Sequence, residues 1–188
     1  LSYAQLAVRV MSPFVGECFT ERELGRIVCD ACTAFRHHSV APLRQLGPDR
    51  WLMELYHGPT LAFKDVAMQV LARLYDHVLQ RRDRRVTLIG ATSGDTGSAA
   101  IEAVRHCDRA TIVILHPHGR TSEVQRRQMT TVLADNVHNL AVEGTFDDCQ
   151  ALVKALFADA GFRDRVGMSG VNSINWARVL PQVVYYVH

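Results

Sequence analysis

The chain has 188 residues, of which 48% are hydrophobic and 21% charged, a composition typical of a folded globular protein and not of a disordered one. Lysine and arginine number 21 against 19 acidic residues, so the net charge of +2 gives no reason to expect nucleic acid or a membrane surface as a partner. No apolar run approaches the roughly 18 residues of a membrane span, and no basic secretory segment opens the chain, so we expect a cytoplasmic protein. The five cysteines are scattered, which predicts reduced thiols. We expect the partner to be a small molecule.

The hydrophobic pattern predicts an α/β protein. Residues 1–36 have a helical pattern, and 37–49 are predicted to be a linker. From residue 50 onward, short apolar strands alternate with helical stripes, which predicts a doubly wound, mostly parallel sheet with helices on both faces. The predicted strands are 51–56, 86–90, 110–115 and 137–142, and the predicted helices are 63–81, 98–106, 122–133 and 146–158.

These elements suggest three segments: a helical segment with a linker at 1–49, a strand and a lysine-bearing helix at 50–85, and an α/β domain at 86–188. Two helix starts carry a capping-box pattern, a hydroxyl with an acidic or amide side chain three residues later, at Ser122 and at Thr145. Pro181 is expected to kink the last helix or to mark its earlier end.

The loop GATSGDTG, residues 90–97, is the first candidate for a binding site. It leaves a predicted buried strand and enters a helix, and such loops lie where ligands bind to open parallel sheets. Its glycines allow backbone N–H groups to approach an anion at the helix start, and Thr92, Ser93 and Thr96 add hydroxyls. The loop matches neither the Walker pattern nor the dinucleotide GxGxxG pattern. A succession of small and hydroxylated residues favours ligand binding over a plain turn.

Lys64 is the second candidate, in the stretch ELYHGPTLAFKDVAMQ. It follows a Gly-Pro turn and stands in the first turn of a predicted helix. The ordinary interpretation is a solvated side chain. However, the helix dipole and desolvation both disfavour the ammonium form there, so the amine could serve as a nucleophile toward a carbonyl. The residues alone leave both interpretations open.

The third candidate is the stretch GVNSINWAR, residues 170–178. Asn172 and Ser173 precede a predicted helix, and Arg178 would lie one to two turns into it. A guanidinium forks well onto phosphate or carboxylate, so the three side chains could bind an anion at the helix start. The alternative is an ordinary N-cap with an exposed arginine.

Two further patterns favour structural interpretations, and we predict no metal site. Cys29 and Cys32 have the spacing of a CxxC motif, but no second pair of ligands follows at a suitable distance. They are interpreted as two small residues on one helix face. His116 and His118 flank a proline, and we place them in a solvated loop.

The segments HGPTLAFKD, ATSGDTGSAA, FDDCQALVKALF and NSINWARVL, in this order, resemble threonine synthases, which are pyridoxal-phosphate-dependent enzymes of fold type II. The resemblance covers nearly the whole chain. It implies a carbon–oxygen lyase acting on phosphate, which converts O-phospho-L-homoserine and water to L-threonine and phosphate in threonine biosynthesis. Lys64 would hold the cofactor, with Phe63, Gly94 and Asp95 beside it.

The resemblance also implies two groups of substrate ligands. The loop 92–96 would bind the substrate carboxylate, and a second group would bind the phosphate. Many fold type II relatives have asparagine where Asp95 stands, so the resemblance carries its role and not its hydrogen bonds. The implied substrate ligands are Thr92, Ser93, Asp95, Thr96, Asn172, Ser173 and Arg178.

The family continues past the last helix into a glycine-rich loop for the cofactor phosphate, and the sequence ends at His188 without it. We therefore expect the amino-terminal part of a longer enzyme without its large C-terminal domain, incomplete at both ends and monomeric or homodimeric. Two other functions stay open: another fold type II lyase or dehydratase acting on serine or threonine, and a non-catalytic α/β module that binds an anion.

Overall fold

The computed structural model describes residues 1–171 and 175–187. They divide into two compact units, one formed by residues 1–73 with the described part of 173–188, and the other by the described part of 74–172. Within these described ranges, none of the helices has both the length and the apolar character that a membrane span requires.

The order of elements confirms the predicted α/β class. Strands and helices alternate from the middle of the chain onward, and the elements follow in this order: α1 Tyr3–Val15, a 3-10 turn Gly16–Cys18, α2 Glu21–Cys32, β1 Leu43–Gly47, β2 Arg50–Met53, α3 Lys64–Arg81, β3 Val86–Ala91, α4 Asp95–Val104, β4 Ala110–Pro117, α5 Glu123–Thr130, β5 Val137–Val142, α6 Phe146–Ala158, α7 Ala160–Val166, β6 Met168–Gly170 and α8 Trp176–Val187.

In the first unit, the helical segment predicted at 1–36 is two helices. Helix α1 ends at Val15 and is followed by Gly16, whose φ of 54° lies in the region that favours glycine. Helix α2 then starts at a new capping box, in which Thr20 and Glu23 bond each other's backbone N–H groups. The two helices pack together through buried residues such as Met11 and Leu24.

The predicted linker at 37–49 contains a strand, so that prediction was wrong. Strand β1 pairs antiparallel with β2, with Leu43 opposite Met53 and Gly47 opposite Arg50. The strand predicted at 51–56 is correspondingly shorter and ends at Met53. Both strands are largely exposed, so their side chains lack the strict alternation by which a half-buried strand is recognised.

In the second unit, four parallel strands form one sheet in the order β5-β4-β3-β6. Side chains alternate between its faces. Ile89 and Leu115 pack against Cys149 of α6 on one face, and the fully buried Ile112 and Ile114 point to the opposite face. The parallel sheet predicted from sequence is confirmed, and the carboxyl end of β3 leads directly into the loop 92–97.

Three details of the fold after residue 159 differ from the expectations. Helix α7 and the three-residue strand β6 were missed, because elements this short carry too few residues for a period. Helix α8 continues past Pro181 to Val187. The burial of Pro181 together with Leu180 and Val184 offsets the missing backbone hydrogen bond.

His116 also lies elsewhere than expected. It is buried within β4, with Nδ1 3.0 Å from Oδ1 of Asn139. Burial lowers the pKa of this imidazole below its ordinary value. His118 is exposed, and its Nδ1 lies 3.0 Å from a carboxylate oxygen of Glu143.

Candidate functional site

Lys64 is the first residue of α3 and is half-buried. The chain reaches it through a tight turn that begins at Gly58, where the N–H of Leu61 donates to the Gly58 carbonyl at 3.2 Å. Leu61 has a φ of +63°, a left-handed conformation that costs about 1 kcal/mol or more for a residue other than glycine. The Lys64 Nζ atom lies 4.4 Å from the centre of the Phe63 ring. The backbone that carries the amine is therefore a specific, strained turn.

Asp65 holds this turn closed. Its side chain is completely buried, which is uncommon for a carboxylate. Its two oxygens accept hydrogen bonds from the backbone N–H and the hydroxyl of Thr60, at 2.9 and 2.7 Å. A side chain at Gly58 would collide with the same carboxylate. The residue directly after Lys64 thus ties the first turn of α3 to the preceding loop.

A second polar pair lies at the entrance to the turn. Nε2 of His57 donates to a carboxylate oxygen of Glu54 at 2.8 Å. This bond, and next the bond from Tyr56, hold the pKa of Glu54 below its ordinary value. The His57 carbonyl accepts from the Arg36 N–H at 2.9 Å, and the His37 ring lies 5.1 Å from the His57 ring. These contacts fix the segment that leads to Lys64, and sequence reasoning did not single them out.

In the second unit, Thr92 organises the glycine-rich loop. Its side chain is buried, and its hydroxyl oxygen accepts hydrogen bonds from the N–H groups of Gly94 and Gly97, at 3.0 and 2.9 Å. Helix α4 consequently begins at Asp95, three residues before the start predicted at Ser98. Thr92 supplies the oxygen that an N-cap side chain usually provides, since Gly94 at the cap has no side chain. Its direct contact with a substrate stays a prediction.

Replacing Thr92 with valine is expected to destabilise the protein by about 2 kcal/mol, because two N–H groups lose their acceptor while the side-chain shape is nearly conserved. The change should appear as a lower midpoint of thermal unfolding. Ser93→Ala removes a hydroxyl from the exposed neighbour and should change stability by less than about 0.5 kcal/mol. Equal midpoints for the two variants would show that Thr92 does not organise the loop.

Gln125, in the first turn of α5, contacts the same loop from a distant part of the chain. Its side-chain N–H donates to Oδ1 of Asp95 at 2.5 Å, and its carbonyl oxygen accepts from the Ser122 hydroxyl at 2.8 Å. Ser122 caps α5 as predicted by accepting from the Gln125 N–H. The reciprocal half of the capping box is absent from the described contacts of α5, because the Gln125 side chain is directed at Ser122 Oγ and at Asp95.

Arg178, on the first turn of α8, is buried, with 5% of its surface exposed. The exposed arginine that the sequence left as an alternative is not found, and the role of Arg178 as a ligand stays a prediction. Burial lowers the pKa of the guanidinium below its ordinary value. Asn175 directly precedes the helix, and its side-chain oxygen accepts from the Ala177 N–H at 2.9 Å. The predicted ligands Asn172 and Ser173 lie outside the described residues.

Several predicted site residues are neighbours in the structure. Phe63 lies against Lys64 in the first unit, and Thr92, Gly94 and Asp95 meet at the start of α4 in the second. Ser93 is exposed and Thr96 is half-buried on the same turn. Asp65 and Gln125 were not among the predicted site residues. The only sequence signal for Asp65 was its position next to Lys64, and the only signal for Gln125 was its place in the capping-box pattern that begins at Ser122.

The family profile described as pyridoxal-phosphate dependent enzyme matches residues 35–184 of the chain. A threonine synthase from Pseudomonas aeruginosa is 58% identical over 188 residues, which is 100% of this chain and 40% of that protein. The chain thus spans about 40% of the length of this curated relative.

Two solved structures have a very similar fold. The crystal structure of pyridoxal-phosphate-bound threonine synthase from Brucella melitensis matches with a TM-score of 0.94 and 55% identity, over 98% of this chain and 40% of that one. The structure of threonine synthase from yeast matches with a TM-score of 0.93 and 43% identity, over 99% and 39%.

Proposed function

Because this chain belongs to the pyridoxal-phosphate-dependent enzyme family, we propose that it carries the lysine-bearing part of a threonine synthase. The enzyme would convert O-phospho-L-homoserine and water to L-threonine and phosphate, as a cytoplasmic protein acting on a small molecule. The observation that carries the proposal is the 58% identity to a threonine synthase over the whole chain. The two hydrogen bonds between the buried Asp65 carboxylate and Thr60, here called the Asp65 clamp, hold the turn that carries Lys64 and support the proposal independently.

The residues present fit the cofactor. An aldehyde cofactor requires a primary amine, and the sequence has two lysines, Lys64 and Lys154. Lys154 is exposed on α6, whereas Lys64 is half-buried at the end of a fixed turn. Lys64 is accordingly the residue that would hold pyridoxal phosphate. When bound, the cofactor supplies an electron sink for negative charge that develops at the substrate Cα.

Lys64 would also move the protons that the reaction requires. Its Nζ atom would take one proton from Cα and one from Cβ as the phosphate leaves from Cγ. One proton would return to Cγ and one to Cα as the hydroxyl of water adds to Cβ, and the remaining proton of water goes to the released phosphate. Such a transfer requires an amine held within hydrogen-bond reach of each carbon-bound proton. The turn fixed by Asp65 provides this constraint on the backbone of Lys64.

The loop 92–96 would bind the substrate carboxylate. The start of α4 presents backbone N–H groups and the positive end of the helix dipole. The side chains of Ser93 and Thr96 add hydroxyl donors on the same turn. Thr92 would contribute chiefly by holding this turn in place.

Arg178 would bind the substrate phosphate, together with Asn172 and Ser173. A partly desolvated guanidinium binds phosphate strongly because the local dielectric constant is low. Arg178→Gln is expected to raise KM for O-phospho-L-homoserine by roughly 10- to 100-fold, the cost of one charge-assisted hydrogen bond or more. Arg22→Gln, on an exposed face of α2, is the control and should leave KM unchanged. An unchanged KM in a folded Arg178→Gln protein would remove Arg178 from the phosphate ligands.

The activity itself is tested by two assays on the complete enzyme that contains this chain, purified and supplied with pyridoxal phosphate. We expect phosphate release from O-phospho-L-homoserine with threonine as the product, and little ketoacid from threonine or serine. Ketoacid formation without phosphate release would favour a dehydratase instead. The absence of both activities, with cofactor bound, would contradict the proposed function.

A further inference from the structure

The side chain of Gln125 joins two parts of the chain that are 30 residues apart in sequence. Its N–H donates to Asp95 at the start of α4, while its carbonyl accepts from the Ser122 hydroxyl. The Asp95 carboxylate fixes the orientation of the amide because it can only accept, and the Ser122 hydroxyl, which can donate or accept, donates to the amide oxygen in that orientation. Rotating the amide by 180° would place its oxygen against the carboxylate. Gln125 is therefore held in one orientation by two contacts.

Gly94 has the geometry required for this contact. Its φ of +151° is a conformation that other residues rarely adopt, and a Cβ atom there would overlap the Gln125 side chain. One turn further along α5, the buried Met129 meets Gly97 in the same way, since a Cβ on Gly97 would lie 2.9 Å from its sulfur atom. Residues 125 and 129 lie on one face of α5, and that face packs closely against the loop.

We propose that Gln125 is a positioning residue, which holds the Asp95 carboxylate and the start of α4 in the arrangement that binds substrate. The inference rests on the proposed function for the identity of the ligand, because it assigns the loop to the substrate carboxylate. The hydrogen bond gives Asp95 one fixed side-chain direction. The contact with Gly94 restricts the backbone at the point where the loop becomes a helix.

The pair can be tested by reversing its hydrogen bond. Gln125→Glu places two carboxylates in contact, Asp95→Asn alone leaves two amides, and the double variant lets an asparagine N–H at 95 donate to a glutamate at 125. The double variant has the same net charge as the parent. Val124→Glu, at an exposed position of the same helix, is the control for adding one negative charge to α5.

Hydrogen exchange of the amides of residues 94–98 measures the opening of the loop without any cofactor or substrate. At pH 7, Gln125→Glu should raise exchange by about tenfold or more through loss of a charged hydrogen bond and like-charge repulsion. Lowering the pH to about 5 should restore much of the protection in this variant alone, because one of two close carboxyl groups then binds a proton. The exchange rate of the double variant should return to within about threefold of that of the parent, and the exchange rate of Val124→Glu should match that of the parent.

Kinetics with O-phospho-L-homoserine then test the link to substrate. Gln125→Glu should raise KM with a smaller change in kcat, and lower pH should reduce the difference from the parent. The inference would be overturned if the amides of residues 94–98 exchanged at the parent rate in Gln125→Glu. It would also be overturned if they exchanged as fast in the double variant as in Gln125→Glu. If the parent fails to use O-phospho-L-homoserine, the proposed function fails, and the exchange results still decide whether Gln125 positions Asp95.

Discussion

Replacing Lys64 with alanine is expected to lower the rate of phosphate release from O-phospho-L-homoserine by on the order of 10³-fold or more, because the amine that moves the Cα proton is removed. The fold should persist, since Lys64 is half-buried and the Asp65 clamp does not use its side chain. Steady-state assays and a thermal unfolding midpoint measure the two effects separately.

Lys154→Ala is the matched control for this experiment. It removes the second lysine of the chain from an exposed position on α6 and should retain the rate of the parent. A Lys64→Ala protein that keeps more than about a tenth of the parent rate would show that Lys64 is not the catalytic lysine. An anion-binding module without catalysis would instead leave ligand binding unchanged in this variant.

Replacing Asp65 with alanine is expected to destabilise the protein by about 3 kcal/mol, because the buried N–H and hydroxyl of Thr60 both lose their acceptor. For a chain of this length the loss corresponds to a decrease in the unfolding midpoint of roughly 6–12 °C. The turn that carries Lys64 should open, so phosphate release should fall by more than the decrease in folded protein explains.

Asp135→Ala removes an exposed carboxylate from a loop and should leave the unfolding midpoint almost unchanged. Asp65→Asn separates charge from hydrogen bonding, because an amide oxygen can still accept one of the two bonds from Thr60. The unfolding midpoint of Asp65→Asn should therefore lie between those of the parent and of Asp65→Ala. An Asp65→Ala protein as stable as the parent would mean that the clamp does not hold the turn.

The parts of the fold that sequence predicted well are those with strong local signals. Strand β5 and helix α6 have the predicted bounds, 137–142 and 146–158. The helix starts at a complete capping box formed by Thr145 and Asp148, which a local pattern is sufficient to identify. The parallel sheet likewise follows from alternating strands and helices.

The hairpin β1–β2 could not be predicted in this way, because both strands are exposed and their pairing is set by backbone hydrogen bonds.

The candidate site could likewise be predicted only in part. Lys64 and the loop 92–97 were identified from local motifs, whereas the contact between Gln125 and Asp95 joins residues from different helices. Such a contact depends on how α5 packs on α4, and no period or cap in either segment encodes it.

The central claim, that Lys64 is the residue that holds pyridoxal phosphate, is tested most directly by borohydride reduction of the purified protein after incubation with the cofactor. Peptide mapping by mass spectrometry then locates the reduced pyridoxyl group. We predict that the group is found on Lys64, that Lys154→Ala does not change this result, and that Lys64→Ala abolishes the label. A pyridoxyl group on Lys154 or on the amino terminus, with Lys64 unmodified, would contradict the claim.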